Sequence, residues 1–263
     1  MPEVLFEDMS VEFPGPRGQA PRRAVSDLNL RVKDQEFVCL LGPSGCGKST
    51  ALNVVAGFLQ PTSGTMLVGG KPVKGPNPDR GVVFQDANIF PWLSVEENAM
   101  FGPLLRERKS AKLRDRAREM IERVGLQGFE QHLPLELSGG MRQRVGLART
   151  LINDPSVLLM DEPFGALDAQ TRILMQELLL ELWERDRKTV IFVTHDINEA
   201  LLLGDRVVVM SASPGRVKEV VEVDLPRPRS FDVTDEPQFI EMRKHLMEEL
   251  HSESEKAEGL KTP

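Results

Sequence analysis

Apolar and polar positions alternate in part over residues 4–13 and 24–32, and in the second run Leu28, Leu30 and Val32 fall on one face. Period-two spacing predicts half-buried strands. The proline- and glycine-rich stretch between them, residues 14–21, predicts a loop. Residues 37–41 form a short unbroken apolar run, the pattern of a strand covered on both faces. A glycine-rich turn follows, and helical spacing takes over at 49–58. Short strands are predicted at 66–68 and 81–84, separated by a loop at 71–80 that holds three prolines. From 94 to about 151 charged helical segments dominate, notably 109–124 and 141–152, which predicts an inserted helical subdomain. Apolar runs at 157–160, 190–193 and 207–210 predict buried strands. Residues 169–183, between the first two, predict an amphipathic helix with Leu174, Leu178 and Leu182 on one stripe. Strands alternating with helices imply an α/β fold with a parallel sheet. At the end, 236–250 predicts one more amphipathic helix, and 251–263 is polar, aperiodic and expected to fray.

Composition narrows the class. The chain has 263 residues, 40% hydrophobic and 28% charged, enough for a sizeable core in one domain with a subdomain. A net charge of −7 argues against nucleic acid as the main partner. Cys39 and Cys46 match neither a zinc knuckle nor a CxxC redox pair, and two lone thiols suit a reducing compartment. The opening residues carry early acids and no basic or long apolar region, so no signal peptide is expected. No apolar run nears the roughly 20 residues that span a bilayer. Any service to a membrane is expected from the cytoplasmic side, through a partner.

Two motifs then carry chemistry. Gly42, Pro43, Ser44, Gly45, Cys46, Gly47, Lys48, Ser49 and Thr50 follow a predicted strand and open a predicted helix, the context in which G-x-x-x-x-G-K-S/T cradles phosphates. Glycines let the backbone N–H groups converge, and the helix N-terminus adds partial positive charge. Lys48 is expected to reach the β- and γ-phosphates, Ser49 to ligate Mg²⁺, and Thr50 to help hold the α-phosphate; Cys46 is expected as a loop residue only. The strand at 157–160 ends in Asp161 and Glu162. Ligand crevices of parallel sheets lie at strand carboxyl ends. Asp161 is placed to hold Mg²⁺ and Glu162 to polarise the water that attacks the γ-phosphate.

The run Leu137-Ser-Gly-Gly-Met-Arg-Gln-Arg144 resembles the signature of ABC ATPases, and the resemblance extends over the chain to about Arg229. It implies a P-loop NTPase fold of the ABC ATPase type, with a mainly parallel core sheet, an N-terminal antiparallel β subdomain and an inserted helical subdomain. It implies one ATPase domain over 1–231, with the helical subdomain at about 94–151, and a C-terminal helix and tail over 232–263. Gln85 resembles the glutamine that senses Mg²⁺ and γ-phosphate, Asp168 the D-loop aspartate, His195 the switch histidine and Phe13 the aromatic stacked on adenine. The chain has no tyrosine, the commonest residue at that last station. Ser138, Gly139 and Gly140 are implied to cap the γ-phosphate held by a second copy, so that a homodimer encloses two ATP molecules. Ser138 and Asp168 also read as plain helix N-caps. Met141 replaces the usual glutamine of the signature, whose side chain therefore has no counterpart here.

Residues 77–86, Pro91-Trp92, 161–168, 213–217 and 225–229 are similar to the ATPases of nitrate, sulfonate and taurine importers. That resemblance implies an ATPase at the cytoplasmic face of the inner membrane, two permease subunits and an extracytoplasmic solute-binding protein. An exporter or lipid-transport ATPase would use the same catalytic residues. A non-transport ABC ATPase would more usually carry two cassettes or a long coiled-coil insertion.

Overall fold

The computed structural model describes residues 2–15, 20–106, 108 and 110–259. Part of the expected 14–21 loop, the expected helix start at 109, and 260–263 of the expected tail lie outside them. In chain order the strands are β1 (Val4–Phe13), β2 (Arg22–Val32), β3 (Phe37–Leu41), β4 (Ser63–Val68), β5 (Lys71–Pro72), β6 (Arg80–Val83), β7 (Val157–Asp161), β8 (Thr189–Thr194), β9 (Arg206–Met210) and β10 (Val217–Glu222). The α-helices are α1 (Lys48–Ala56), α2 (Val95–Leu104), α3 (Ala111–Arg123), α4 (Gly139–Leu151), α5 (Ala169–Asp186), α6 (Ile197–Leu203) and α7 (Pro237–Gly259). No helix among the described residues is long and apolar enough to cross a membrane. The fold is that of an α/β protein, and the chain divides into two compact units, residues 1–77 with 187–263 and residues 78–186.

In the first unit β1 pairs antiparallel with both β2 and β4, and β4 with the two-residue β5, in the order β2-β1-β4-β5. The expected loop at 71–80 therefore begins with a short edge strand, where Pro72 is tolerated because an edge needs no second donor. The same unit holds β3 between β8 and β9, all parallel, with β10 antiparallel on β9. Every residue of β3 and of β8 is buried, as their unbroken apolar runs require. Two further elements here were not expected. α6 is two turns long, and its apolar Leu201–Leu203 run has no visible period. β10 alternates only weakly and is specified by pairing with β9.

α7 continues to Gly259, nine residues beyond the expected helix, through the stretch expected to fray. Its first half is docked by Phe239 and Leu246, both fully buried. Its second half is held by Glu253, whose side chain is buried against Lys218 and Lys256. An ion-pair anchor leaves no apolar period in the sequence.

In the second unit β6 and β7 run parallel. Ser94 starts α2 with a reciprocal capping box to Glu97, and Ser110 caps α3 by accepting from Leu113 N–H. α3 buries Leu113, Ala117, Met120 and Ile121 at helical spacing. On α5 the expected stripe is rotated: Leu174 is 49% exposed, and Met175, Leu179, Leu182 and Trp183 are buried. The run Leu178–Leu180 satisfies more than one helical face, so spacing alone could not choose between them.

Candidate active site

In the first unit β3 and β8 run in register, Leu41 beside Thr194, so Gly42 and His195 leave the same sheet end. Gly45 and Gly47 take φ of 77° and 103°, a region L side chains rarely enter. Gly47 also packs closely: an added Cβ would stand 2.7 Å from the Ala24 carbonyl oxygen. Gly42 is fitted in the same way, 3.0 Å from the Met210 carbonyl oxygen. α1 begins at Lys48 with no side-chain cap at Gly47, which places the N-terminal end of the helix directly after the glycine turn. Lys48 is buried and donates to the carbonyls of Gly42 at 2.7 Å and Pro43 at 3.0 Å. Cys46 is buried within the loop, and burial pushes its thiol pKa up despite the neighbouring Lys48. Ser44 is exposed, and Ser49 and Thr50 are half-buried on the first turn of α1. Phe13 ends β1 with 39% of its surface exposed.

In the second unit the parallel register sets Val83 beside Met160, which levels Gln85 with Glu162 two residues on. An added Cβ on Gly165 would lie 3.3 Å from Gln85 Nε2 and 3.8 Å from Glu162 Oε2, so amide and carboxylate converge over that glycine. Asp161 ends β7 and is half-buried. Glu162 has φ 46°, and strain of this kind concentrates at functional sites. Asp168 accepts from Thr171 N–H at 3.0 Å and caps α5, and that bond holds its carboxyl below the usual range. Ser138 accepts from Met141 N–H at 3.2 Å and caps α4. Gly139 is exposed, whereas Gly140 packs against Thr171. The plain capping role of Ser138 and Asp168 is thus present.

A surface feature lies beside Gln85. Asn98, fully buried, donates to the carbonyls of Phe90, Leu93 and Ser94 and accepts from Phe90 N–H. Arg149 donates to the Ala87 and Asn88 carbonyls and lies 5.4 Å from the Phe90 ring centre. These bonds fix the 86–93 loop beside a groove of about 540 Å³ lined by Phe84, Phe90, Phe101, Leu105 and Arg149. Trp92 packs 5.6 Å from Phe90, centre to centre, and is 71% exposed. Asn98, the residue that shapes this loop, carries no sequence signal.

The ABC transporter family profile matches residues 25–165. An uncharacterised ABC transporter ATP-binding protein of Methanocaldococcus jannaschii is 50% identical over 231 residues, 88% of this chain and 85% of that protein. The taurine import ATP-binding protein TauB of a Jannaschia species is 44% identical over 256 residues, 94% of this chain and 93% of that protein. Among solved structures, a dimeric ATP-binding cassette in a post-hydrolysis state bound to ADP and Pi superposes with a TM-score of 0.73 at 33% identity, covering 85% of this chain and all of that one. The chain belongs to the ABC transporter family, as an ATP-binding subunit with ATPase activity.

Proposed function

We propose that this subunit hydrolyses ATP at a homodimer interface and couples closure of the dimer to import of a small solute, of the nitrate, sulfonate or taurine kind, through a membrane permease. The nucleotide reading is carried by one observation: a loop in which Gly45 and Gly47 turn left-handed, that buries Lys48 and delivers the N-terminus of α1 with no side-chain cap. Such an end suits phosphate. Phe13 stacks on adenine, Lys48 pairs with the β- and γ-phosphates, and Thr50 steadies the α-phosphate. A water attacks the γ-phosphorus in line; its oxygen bonds to phosphorus as the bond to the β,γ-bridging oxygen breaks, and Glu162 takes the proton. His195 contacts the γ-phosphate and orients that water. Ser49, Asp161 and Gln85 would hold Mg²⁺, whose chemistry is to offset charge on the β- and γ-phosphate oxygens. Among the described residues there is no cluster of three or more His, Cys, Asp or Glu able to hold a metal. Mg²⁺ in such sites is bound by one or two carboxylates together with substrate phosphates and water.

The N-terminus of α4, capped by Ser138 and with Gly139 exposed, is a second phosphate-suited end, and its occupant is the ATP of another copy, held by Ser138, Gly139 and Gly140, with Asp168 at the same interface. Import is supported by similarity to a taurine import ATPase along 94% of this chain. The groove at Phe90 and Trp92 receives a short cytoplasmic helix of the permease, two copies of which form the pore. An extracytoplasmic binding protein supplies the solute, and the subunit sits peripherally on the cytoplasmic face of the membrane.

Glu162→Gln tests the scheme, since the amide keeps the shape and loses the base. ATP binding should persist while turnover falls by roughly 10²–10⁴-fold, and light scattering should find an ATP-bound dimer. Near wild-type turnover, or a monomer in saturating ATP, would reject it.

A further inference from the structure

The turn between β9 and β10, residues 211–216, is closed on itself. Ser211 N–H donates to the Arg216 carbonyl at 3.0 Å, Arg216 N–H to Ser211 Oγ at 3.0 Å, and the Ser211 hydroxyl to the Pro214 carbonyl at 3.2 Å. Its apex rests on the phosphate-binding loop. A Cβ added to Gly215 would fall on the Cys46 carbonyl oxygen, so backbone meets backbone there. Gly215 also donates from N–H to the Ala24 carbonyl and accepts from Ser26 N–H, each at 2.9 Å. Ala24 is the residue against which Gly47 packs, and Met210, where the turn begins, is the residue against which Gly42 packs. The loop is therefore enclosed by three pieces of main chain, two of which lead into this turn.

The far side of the turn is tied to α7. Ala212 N–H donates to Glu253 Oε2 at 2.8 Å. The Glu253 side chain is 2% exposed and pairs with Lys218 at 2.8 Å and Lys256 at 2.6 Å; Lys218 pairs also with Glu249 at 2.9 Å. The first half of α7 is already docked by Phe239 and Leu246. A buried carboxylate is an expensive way to add adhesion alone. What it adds is direction: one oxygen aimed at one N–H of the turn.

We propose that Glu253 and Gly215 are positioning residues for nucleotide binding, through which the C-terminal helix sets the place of the phosphate-binding loop and hence ATP affinity. The inference rests on the phosphate-loop reading above. Loop N–H groups must converge on one anion, and displacement on the ångström scale is costly in such a constellation. The close contact at Gly215 leaves the turn no room to shift without moving the Cys46 peptide. Releasing Ala212, three residues away, frees the turn to shift.

The test uses the full-length protein, a fluorescent ADP analogue for affinity, steady-state hydrolysis, and thermal melts. Glu253→Ala and Gly215→Ala should each weaken nucleotide binding by roughly fivefold or more, the lower range of coupling between sites. KM for ATP should rise while kcat stays close to wild type. Because both changes act on one step, the double variant should bind no more weakly than Gly215→Ala alone. Glu253→Gln, which keeps the volume and an acceptor for Ala212 N–H, should recover most of the affinity. If Glu253→Ala does not fold, Ser211→Ala loosens the turn without touching α7 and should shift affinity in the same direction. Lys48→Ala separates the two readings. If it weakens binding while folded turn and helix variants bind as wild type, whatever their melting temperatures, the positioning role is wrong. If Lys48→Ala also binds as wild type, the phosphate-loop assignment fails and takes this inference with it.

Discussion

At the scale of single residues, electrostatics separates what is anchored from what is merely present. Burial alone would push the Glu253 carboxyl up, but hydrogen bonds from Lys218, Lys256 and Ala212 N–H bring it down to about 2. A carboxylate depressed in the folded state contributes stability that is full above its ordinary pKa, 4.5, and is lost as pH falls through its folded value. The melting temperature of the wild type should therefore fall between about pH 4.5 and 2, and Glu253→Gln should flatten that segment of the curve. An identical acid limb in the variant would mean that other carboxylates control it. Residues of this kind are poorly legible in a sequence. Lys48, Ser49 and Glu162 could be picked out because fixed spacing beside an apolar strand is itself the signal. Gly215 sat in a run noted for resemblance, but its reason for being glycine is a neighbour 169 positions away, at Cys46, in the tertiary structure.

At the scale of elements, long apolar runs such as those of β3, β7 and β8 were readable because burial on both faces leaves an unbroken pattern. α6 and β10 were not, being short and specified by what they pack against. The face of α5 was misread because leucine recurs at consecutive positions. The 86–93 loop differs from both: it clusters Phe90, Pro91 and Trp92, and the structure leaves Trp92 largely uncovered. Trp92→Ala should keep the subunit's melting temperature and basal ATPase while losing permease pull-down and transport. Aromatic anchors of this type typically carry about 2 kcal/mol or more of an interface. Unchanged docking would move the groove elsewhere, and collapse of the melting temperature would make Trp92 a packing residue.

At the scale of the whole molecule, one chain presents two helix N-termini suited to phosphate, α1 and α4, for one nucleotide. The proposed pair of copies related by a two-fold axis would use both. In dilute solution without permease, ATPase activity should therefore rise more than linearly with protein concentration. Ser138→Arg should abolish that rise and spare binding of the first ATP. Strict proportionality between activity and concentration would instead describe a subunit that works alone.

Trp92 and Trp183 are the chain's two tryptophans, and it contains no tyrosine. Trp183 is 3% exposed and Trp92 71%. Ultraviolet emission of the native subunit is thus the sum of one dry indole and one wet one, with no other strong emitter to mask them. The wet component is the one open to aqueous quenchers such as iodide. A partner seated on Trp92 would shift that component to the blue and shield it from quencher, leaving the dry component as an internal standard. The unlabelled protein thus carries an optical gauge of whether Trp92 is covered.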